Sequence, residues 1–281
     1  MKYTFSFLLI IFLLIAKSFT QVFELSSEFF ELDIDTLNYV KNPSFEEYTE
    51  CPPTIDRFKE CKHWNVAPGV ILHTPNYFHR CANKYIGIYE VTVGIPRNVF
   101  GYQEPRTGDA YVGIATFTRN YYKENIQTQL KNPLTKGEKY LIGMYVSLAE
   151  KSKYANDRFT FCLTSESELE IRHRRFKGTL KEQLICPNGI SYISDTLITD
   201  TITWVNINVE YTAKGGEEFL TIGIFDGDIS WRERRKKLRE VFNKNWDAHK
   251  YKVPGDYYFI DDVYVIRKED YLNTMQNDDD E

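Results

Sequence analysis

The sequence predicts an all-β fold, an antiparallel β-sandwich of jelly-roll type carrying one inserted amphipathic helix. Three observations point to it: apolar residues recur at period two in segment after segment, turn-forming clusters separate those segments, and matching acidic motifs stand near the two ends of the chain. The strand signal is plainest over 139–148, where Tyr140, Ile142, Met144, Val146 and Leu148 form one wholly apolar face. Over 203–213, Val205, Ile207, Val209 and Tyr211 point one way while Asn206, Asn208 and Glu210 point the other, so one side of that sheet is wet. Further strands are expected at 37–40, 109–115, 125–130, 158–163, 218–225 and 257–266. The turn clusters are Pro133-Leu134-Thr135-Lys136-Gly137-Glu138, Pro187-Asn188-Gly189 and Lys214-Gly215-Gly216-Glu217.

One segment departs from the pattern. Ser230 with Glu233 three residues on forms a capping box, and Trp231, Leu238, Val241, Phe242 and Trp246 follow at helical spacing, so residues 230–249 read as an amphipathic helix. Its other face carries Arg232, Arg234, Arg235, Lys236, Lys237 and Arg239, either a solvated surface or a docking face for an anionic partner.

The first twenty residues read as a secretory signal peptide. Lys2 supplies the basic start, 5–16 an apolar run, and Ser18 and Thr20 the small residues before a cut ahead of Gln21. The competing reading, an uncleaved anchor, needs about 20 apolar residues where this run offers about a dozen. Residues 21–36 then form a lead segment, 37–270 the sandwich, and the acidic 271–281 a disordered tail. An aromatic content of 15 %, with 20 Tyr and 19 Phe, supplies a large core. A net charge of −5 excludes nucleic acid as a general partner, and the mature chain shows no membrane-spanning run. The expected location is therefore exported: periplasmic, outer-membrane-associated or extracellular.

Export permits disulfides, and five cysteines leave at least one thiol over. Cys162 with Cys186 is one expected pair, and a second is expected within Cys51, Cys61 and Cys81. A zinc site drawn from those three cysteines with His63, His73 and His79 is the rival, although the spacings match no finger or knuckle.

Near the ends stand Asn42-Pro43-Ser44-Phe45-Glu46 and Tyr258-Phe259-Ile260-Asp261-Asp262-Val263. In a jelly-roll the first and last strands lie side by side, so Glu46 and Asp261 can share a hard cation such as Ca2+, which takes six to eight oxygens. Asp262 faces the other way from Asp261 unless a bulge intervenes. These segments, with Gly137-Glu138-Lys139-Tyr140 and the Trp204 strand, resemble the carbohydrate-binding modules of the galactose-binding-like jelly-roll superfamily. The resemblance implies a structural calcium held by Glu46 and Asp261, with Asp262 the second choice. The chain is also similar, over 42–48 with Cys51-Pro52, 74–78 with Cys81, 101–103, 108–114, 122–130, 145–149 and 215–223, to secreted and cell-surface domains of gliding, type IX-secreting bacteria. It departs from them in the basic segment 230–249 and in the absence of a downstream anchoring domain.

A sugar site needs flat aromatic faces and polar groups that fix hydroxyls. The candidates are Tyr77, Phe78, Tyr102, Gln103 and Tyr122, with Trp64 and Tyr121 beside them, all in stretches near Gly, Pro or Asn. No nucleophile elbow, phosphate loop or His-Glu-x-x-His motif is present, and among 40 acidic residues a glycosidase carboxylate pair has no distinguishing signature. The expected function is a secreted, non-catalytic module that binds glycan or adheres at the cell surface. Envelope assembly through the basic helix is the alternative, and a carbohydrate-active enzyme the third reading.

Overall fold

The computed structural model describes residues 36–68, 74–85, 93–118, 123–167, 169–176, 179–186, 188–225 and 255–278. Its strands in chain order are β1 (Trp64–Asn65), β2 (Asn76–His79), β3 (Arg97–Asn98), β4 (Gly101–Tyr102), β5 (Ala110–Thr118), β6 (Asn125–Gln129) and β7 (Lys139–Leu148). These are followed by β8 (Asn156–Thr164), β9 (Glu170–Phe176), β10 (Thr179–Ile185), β11 (Ile190–Ile198), β12 (Val205–Thr212), β13 (Phe219–Gly223) and β14 (Gly255–Arg267). Two antiparallel five-stranded sheets result, ordered β12-β7-β14-β5-β2 and β1-β6-β13-β8-β11, with two-stranded ribbons β3–β4 and β9–β10. The sandwich unit is 39–267. This is the expected antiparallel β-sandwich.

The main core lies between the sheets and follows from alternation. Tyr140, Ile142, Met144, Val146 and Leu148 of β7 meet Phe159, Phe161 and Leu163 of β8 and Leu220 and Ile222 of β13, all buried. Each such side chain contributes about 1.5–3 kcal/mol when fully buried. In β14 the inward set is Tyr258 and Ile260, then Val263 and Val265. The parity changes because a bulge between Asp261 and Tyr264 inserts one residue, with Asp262 at φ +45.

Both sheets are also covered on parts of their outer faces. Over the first, Phe78, Tyr111, Tyr257 and Phe259 pack with Val93, Ile95 and Cys51, and Phe100 stacks on Tyr257 at 3.7 Å. Over the second, Cys162 packs with Ala67, Leu184 and Phe225. Disulfides pin both coverings: Cys162–Cys186 is the expected pair, and Cys51–Cys81 is the bridge expected within the first three cysteines. With Cys51 and Cys81 joined, two donors of the zinc alternative are gone; Cys61 is a buried free thiol, its pKa pushed well up by burial and by the charges of Glu46 and Glu47.

Several expectations change. Residues 37–40 are not a strand; Tyr39 instead lends its N–H to Val265 and its carbonyl to Lys131. The ribbon β9–β10 was not foreseen, because 170–185 is strongly polar and charged and lacks an apolar face, nor was β11, most of whose residues are exposed or half-buried. The expected disordered tail is largely helical: α1 spans Lys268–Asp278, with Glu269 and Asp270 in its first turn where the helix dipole favours acids. The signal peptide, the basic segment 230–249 and Tyr122 lie outside the described residues.

Two measurements check this fold. In oxidised protein the one thiol, Cys61, should stay unreactive to a thiol reagent in the folded state and react once denatured without reductant. The carboxylate of Glu217 accepts from Tyr211 Oη (2.6 Å), Lys214 N (2.7 Å) and Gly215 N (2.8 Å). Burial pushes its pKa up, but these bonds outweigh burial and hold it below its ordinary value of 4.5. Its stabilisation is thus full above that value and is lost as pH falls through the lower folded-state value. Glu217→Gln should cost about 1–3 kcal/mol at neutral pH and flatten acid denaturation, measured by urea melts across pH.

Candidate functional site

The structure brings the two terminal motifs together. Val263 donates its N–H to the carbonyl of Pro43 at 3.0 Å, which sets the Asn42–Glu46 turn against the last strand. Asn42 organises that turn from φ +50: its Nδ2 donates to the carbonyls of Glu47 and Lys62, both at 2.9 Å, and its Oδ1 accepts from Glu47 N at 2.9 Å. Its own carbonyl accepts the Trp64 indole N–H at 2.9 Å.

The carboxylates of the two motifs meet the loop between β4 and β5. Asp261 is fully buried and accepts Arg106 N (2.8 Å) on Oδ2 and Asp262 N (2.8 Å) on Oδ1. Glu46 Oε1 accepts Asp109 N (2.9 Å) and Ala110 N (3.0 Å). Because of the β14 bulge, Asp262 reaches the same loop, pairing with Arg106 Nη1 (2.5 Å) and Thr107 Oγ1 (2.6 Å). The guanidinium of Arg106 also lies 3.7 Å above the Tyr145 ring. Gly108, at φ +58, leaves room for all this: a Cβ there would come within 2.3 Å of Glu46 Oε1.

Burial, then the charge of Asp262, drives the Asp261 pKa well up, against the N–H bonds it accepts. Burial likewise raises Glu46, opposed by the amides of Asp109 and Ala110.

This donor set does not fit the calcium that the sequence suggested. A hard cation needs oxygens, including backbone carbonyls, turned toward it. Here the loop turns its N–H groups toward Glu46 and Asp261, and a guanidinium faces Asp262. Among the described residues no group of three His, Cys, Asp or Glu is placed to hold a metal ion. Both oxygens of Asp261 and of Asp262, and Oε1 of Glu46, accept from donors that the protein itself supplies.

The aromatic candidates separate. Tyr77 and Phe78 are fully buried on opposite faces of β2, Tyr77 donating to the Phe45 carbonyl at 2.8 Å, so neither has surface for a ligand. Trp64 is a core residue packed on Phe45. Gln103 is buried too: its Oε1 accepts from Ser147 Oγ at 2.8 Å and its Nε2 donates to Glu104 O at 3.1 Å. Tyr102 is exposed, its hydroxyl on Glu104 and Arg97 5.4 Å from its ring. Of the four candidates among the described residues, Tyr77, Phe78 and Gln103 are buried and Tyr102 is exposed.

A cleft of about 440 Å³ opens at the β1 edge of the second sheet, lined by Lys41, His63, Asn65, Val66, Pro68, Gln127, Thr128, Gln129, Ser167 and Phe219. Register explains it. Ile126, Leu220 and Ile222 point into the core, so their neighbours Gln127, Gln129, Phe219 and Thr221 point outward. Asn65 pairs with Gln127 and Gln129 with Phe219, giving two ranks of side chains across the strands. Gln127 is fixed by donating to Ser167 O (2.9 Å) and Thr221 Oγ1 (2.8 Å), while Asn65 and Gln129 are exposed. The signal for this face was the alternation Asn125-Ile126-Gln127-Thr128-Gln129, whose polar members are amides rather than charges.

No protein family's sequence profile matches the chain, and no curated protein matches it. Solved structures to which the chain is similar include TmCBM61 in complex with β-1,4-galactotriose (12 % identity, TM-score 0.34, covering 82 % of this chain and 99 % of that one). The CBM22-1 xylan-binding domain of Xyn10C from Paenibacillus barcinonensis is another (14 %, TM-score 0.36, covering 80 % and 90 %). A third is the K1 cleaved adhesin domain of Lys-gingipain from Porphyromonas gingivalis W83 (13 %, TM-score 0.34, covering 80 % and 96 %). At such low identities and superposition scores these likenesses carry no inference about this chain's ligand.

The junction yields a direct measurement. Thermal melts in calcium and in chelator should coincide, since an ion that binds only the native state would raise the midpoint. Arg106→Ala should cost about 2 kcal/mol by stripping Asp262 of its charged partner. A midpoint that rises with calcium would return the junction to a cation.

Proposed function

We propose that this chain is an exported, non-catalytic glycan-binding module whose ligand lies in the cleft at the β1 edge. The cleft's composition carries the reading. Its volume falls within the range of small-ligand sites, roughly 300–1,000 Å³. Exposed amides at Asn65 and Gln129 offer both a donor and an acceptor to sugar hydroxyls, and Phe219 beside them offers a flat apolar face to ring C–H groups. Gln127 is anchored at the cleft floor before any ligand arrives, which limits the ordering cost of binding. Two disulfides accord with an oxidising, extracytoplasmic compartment. No helix among the described residues is long and apolar enough to cross a membrane.

A glycan array probed with the disulfide-intact mature chain tests this. One or more oligosaccharides should bind, and Gln129→Ala and Phe219→Ala should each weaken binding about tenfold at unchanged melting temperature, the loss expected for one hydrogen bond or one stacked ring. An array without a binder, or two variants that bind like the parent, would sink the proposal.

A further inference from the structure

The lining of the cleft carries charge of one sign. Of the ten lining residues, Lys41 and His63 can carry positive charge and none can carry negative charge, in a chain whose 40 acidic residues outnumber its 35 Lys and Arg. Lys41 is half-buried, and among the described residues no carboxylate stands within 4.0 Å of its ammonium. Some cations of the sandwich are matched, Lys139 to Glu210 at 2.8 Å, Arg267 to Glu138 at 3.0 Å, Arg80 to Asp109 at 2.6 Å and Arg106 to Asp262, and of the lysines that are not, Lys41 is the one that lines the cleft. A lysine that lines a polar cleft without a carboxylate partner is placed to meet an anion that arrives with the ligand.

The two residues are also held in place. Asn42, next to Lys41, clamps the turn through the carbonyls of Glu47 and Lys62. His63 sits at φ +68, and its carbonyl accepts Thr128 Oγ1 at 2.9 Å. Glu47, which does not line the cleft, lies 3.7 Å from His63 Nε2 and offsets any charge there, so the positive charge offered to a ligand is that of Lys41.

Resting on the glycan reading above, we propose that the cleft takes an acidic sugar, its carboxylate or sulfate group seated at the Lys41 end and its ring along Asn65, Gln129 and Phe219. Lysine is a point charge without the planar fork of arginine, so the shared chemistry is a sugar-borne oxyanion rather than one acid in particular.

The experiment titrates the disulfide-intact mature chain with uronic acid oligosaccharides, the same oligosaccharides after reduction of each carboxyl to a primary alcohol, and sulfated neutral oligosaccharides. The expected result is binding of one of the acidic sets about tenfold tighter than its uncharged counterpart, a gap that narrows as salt is raised. The uronate and sulfate arms identify which acid is bound. Lys41→Gln should close the gap at unchanged melting temperature, and Lys41→Arg should preserve most of it. Equal or tighter binding of the uncharged sugars, or a gap untouched in Lys41→Gln, would overturn the acidic specificity while leaving glycan binding intact. Failure of every member of the panel to bind would overturn the glycan reading and this proposal with it.

Discussion

Three carboxylates from opposite ends of the sandwich, Glu46 in the first turn and Asp261 and Asp262 in the last strand, converge on one loop, and the order of the first sheet depends on how that loop receives them. Strand β14 pairs with β5 on one side and β7 on the other, so the last strand of the chain is the middle of its sheet. Its bulge must be fixed at Asp261–Tyr264, since a slip of one residue there would turn Val263 and Val265 out of the core. The donors of Arg106, Thr107, Asp109 and Ala110 fix it, together with the bond from Val263 to Pro43. A fully buried Asp261 without those donors would carry the desolvation penalty of an unsatisfied charge, about 1–3 kcal/mol or more. Satisfied, it specifies register.

The packing of the outer faces decides where a ligand can go. Much of the first sheet's outer surface lies beneath Phe100, Val93, Ile95 and the Cys51–Cys81 bridge, and part of the second beneath Leu184, Phe225 and the Cys162–Cys186 bridge. Aromatic rings that would serve a sugar platform are spent on those coverings; Phe100, which could cap a ligand's ring, instead caps Tyr257. At the β1 edge the strand is only Trp64–Asn65, and among the described residues the covering stops short of it. There Gln129 of β6 reaches solvent with Phe219 of β13 beside it, over the buried pair Gln127 and Thr221.

This explains which parts of the molecule were legible in the sequence. Strands with one wet face, such as Val205–Thr212, announce themselves by alternation, and the main core followed from that alternation alone. Tyr77 and Phe78 misled because both faces of β2 are buried: adjacent aromatics between Asn76 and His79 have no alternation to show, and a short doubly covered strand looks like a loop with exposed rings. Gln103 misled for the complementary reason, a polar residue whose partners, Ser147 and the Ile202 carbonyl, come from strands and turns more than forty residues away. The pairing of Glu46 with Asp261 was legible as proximity, but not as chemistry, since a sequence does not reveal whether a loop turns its carbonyls or its N–H groups toward a carboxylate. The cleft lay in the least conspicuous signal, three amides at alternate positions.

Junction and cleft are joined through one side chain. Asn42 shapes the turn that delivers Glu46 to Asp109 and Ala110, and the same amide holds the Lys62 carbonyl while its backbone holds the Trp64 indole. Lys41 and His63 are the immediate neighbours of these anchor points, and Asn65 follows Trp64. The charged end of the cleft therefore sits on the turn that the first carboxylate locks to the loop, and its geometry is inherited from that lock. Freedom to vary follows from the same connection. Gln129 and Phe219 hang from strands held by their own ladders and can change without touching the junction, whereas Asn42 cannot, because no other side chain of its size places one carbonyl and two N–H groups in that turn at a positive φ. Under the proposed glycan reading, ligand preference is tunable on β6 and β13, while the position of Lys41 is set by the fold.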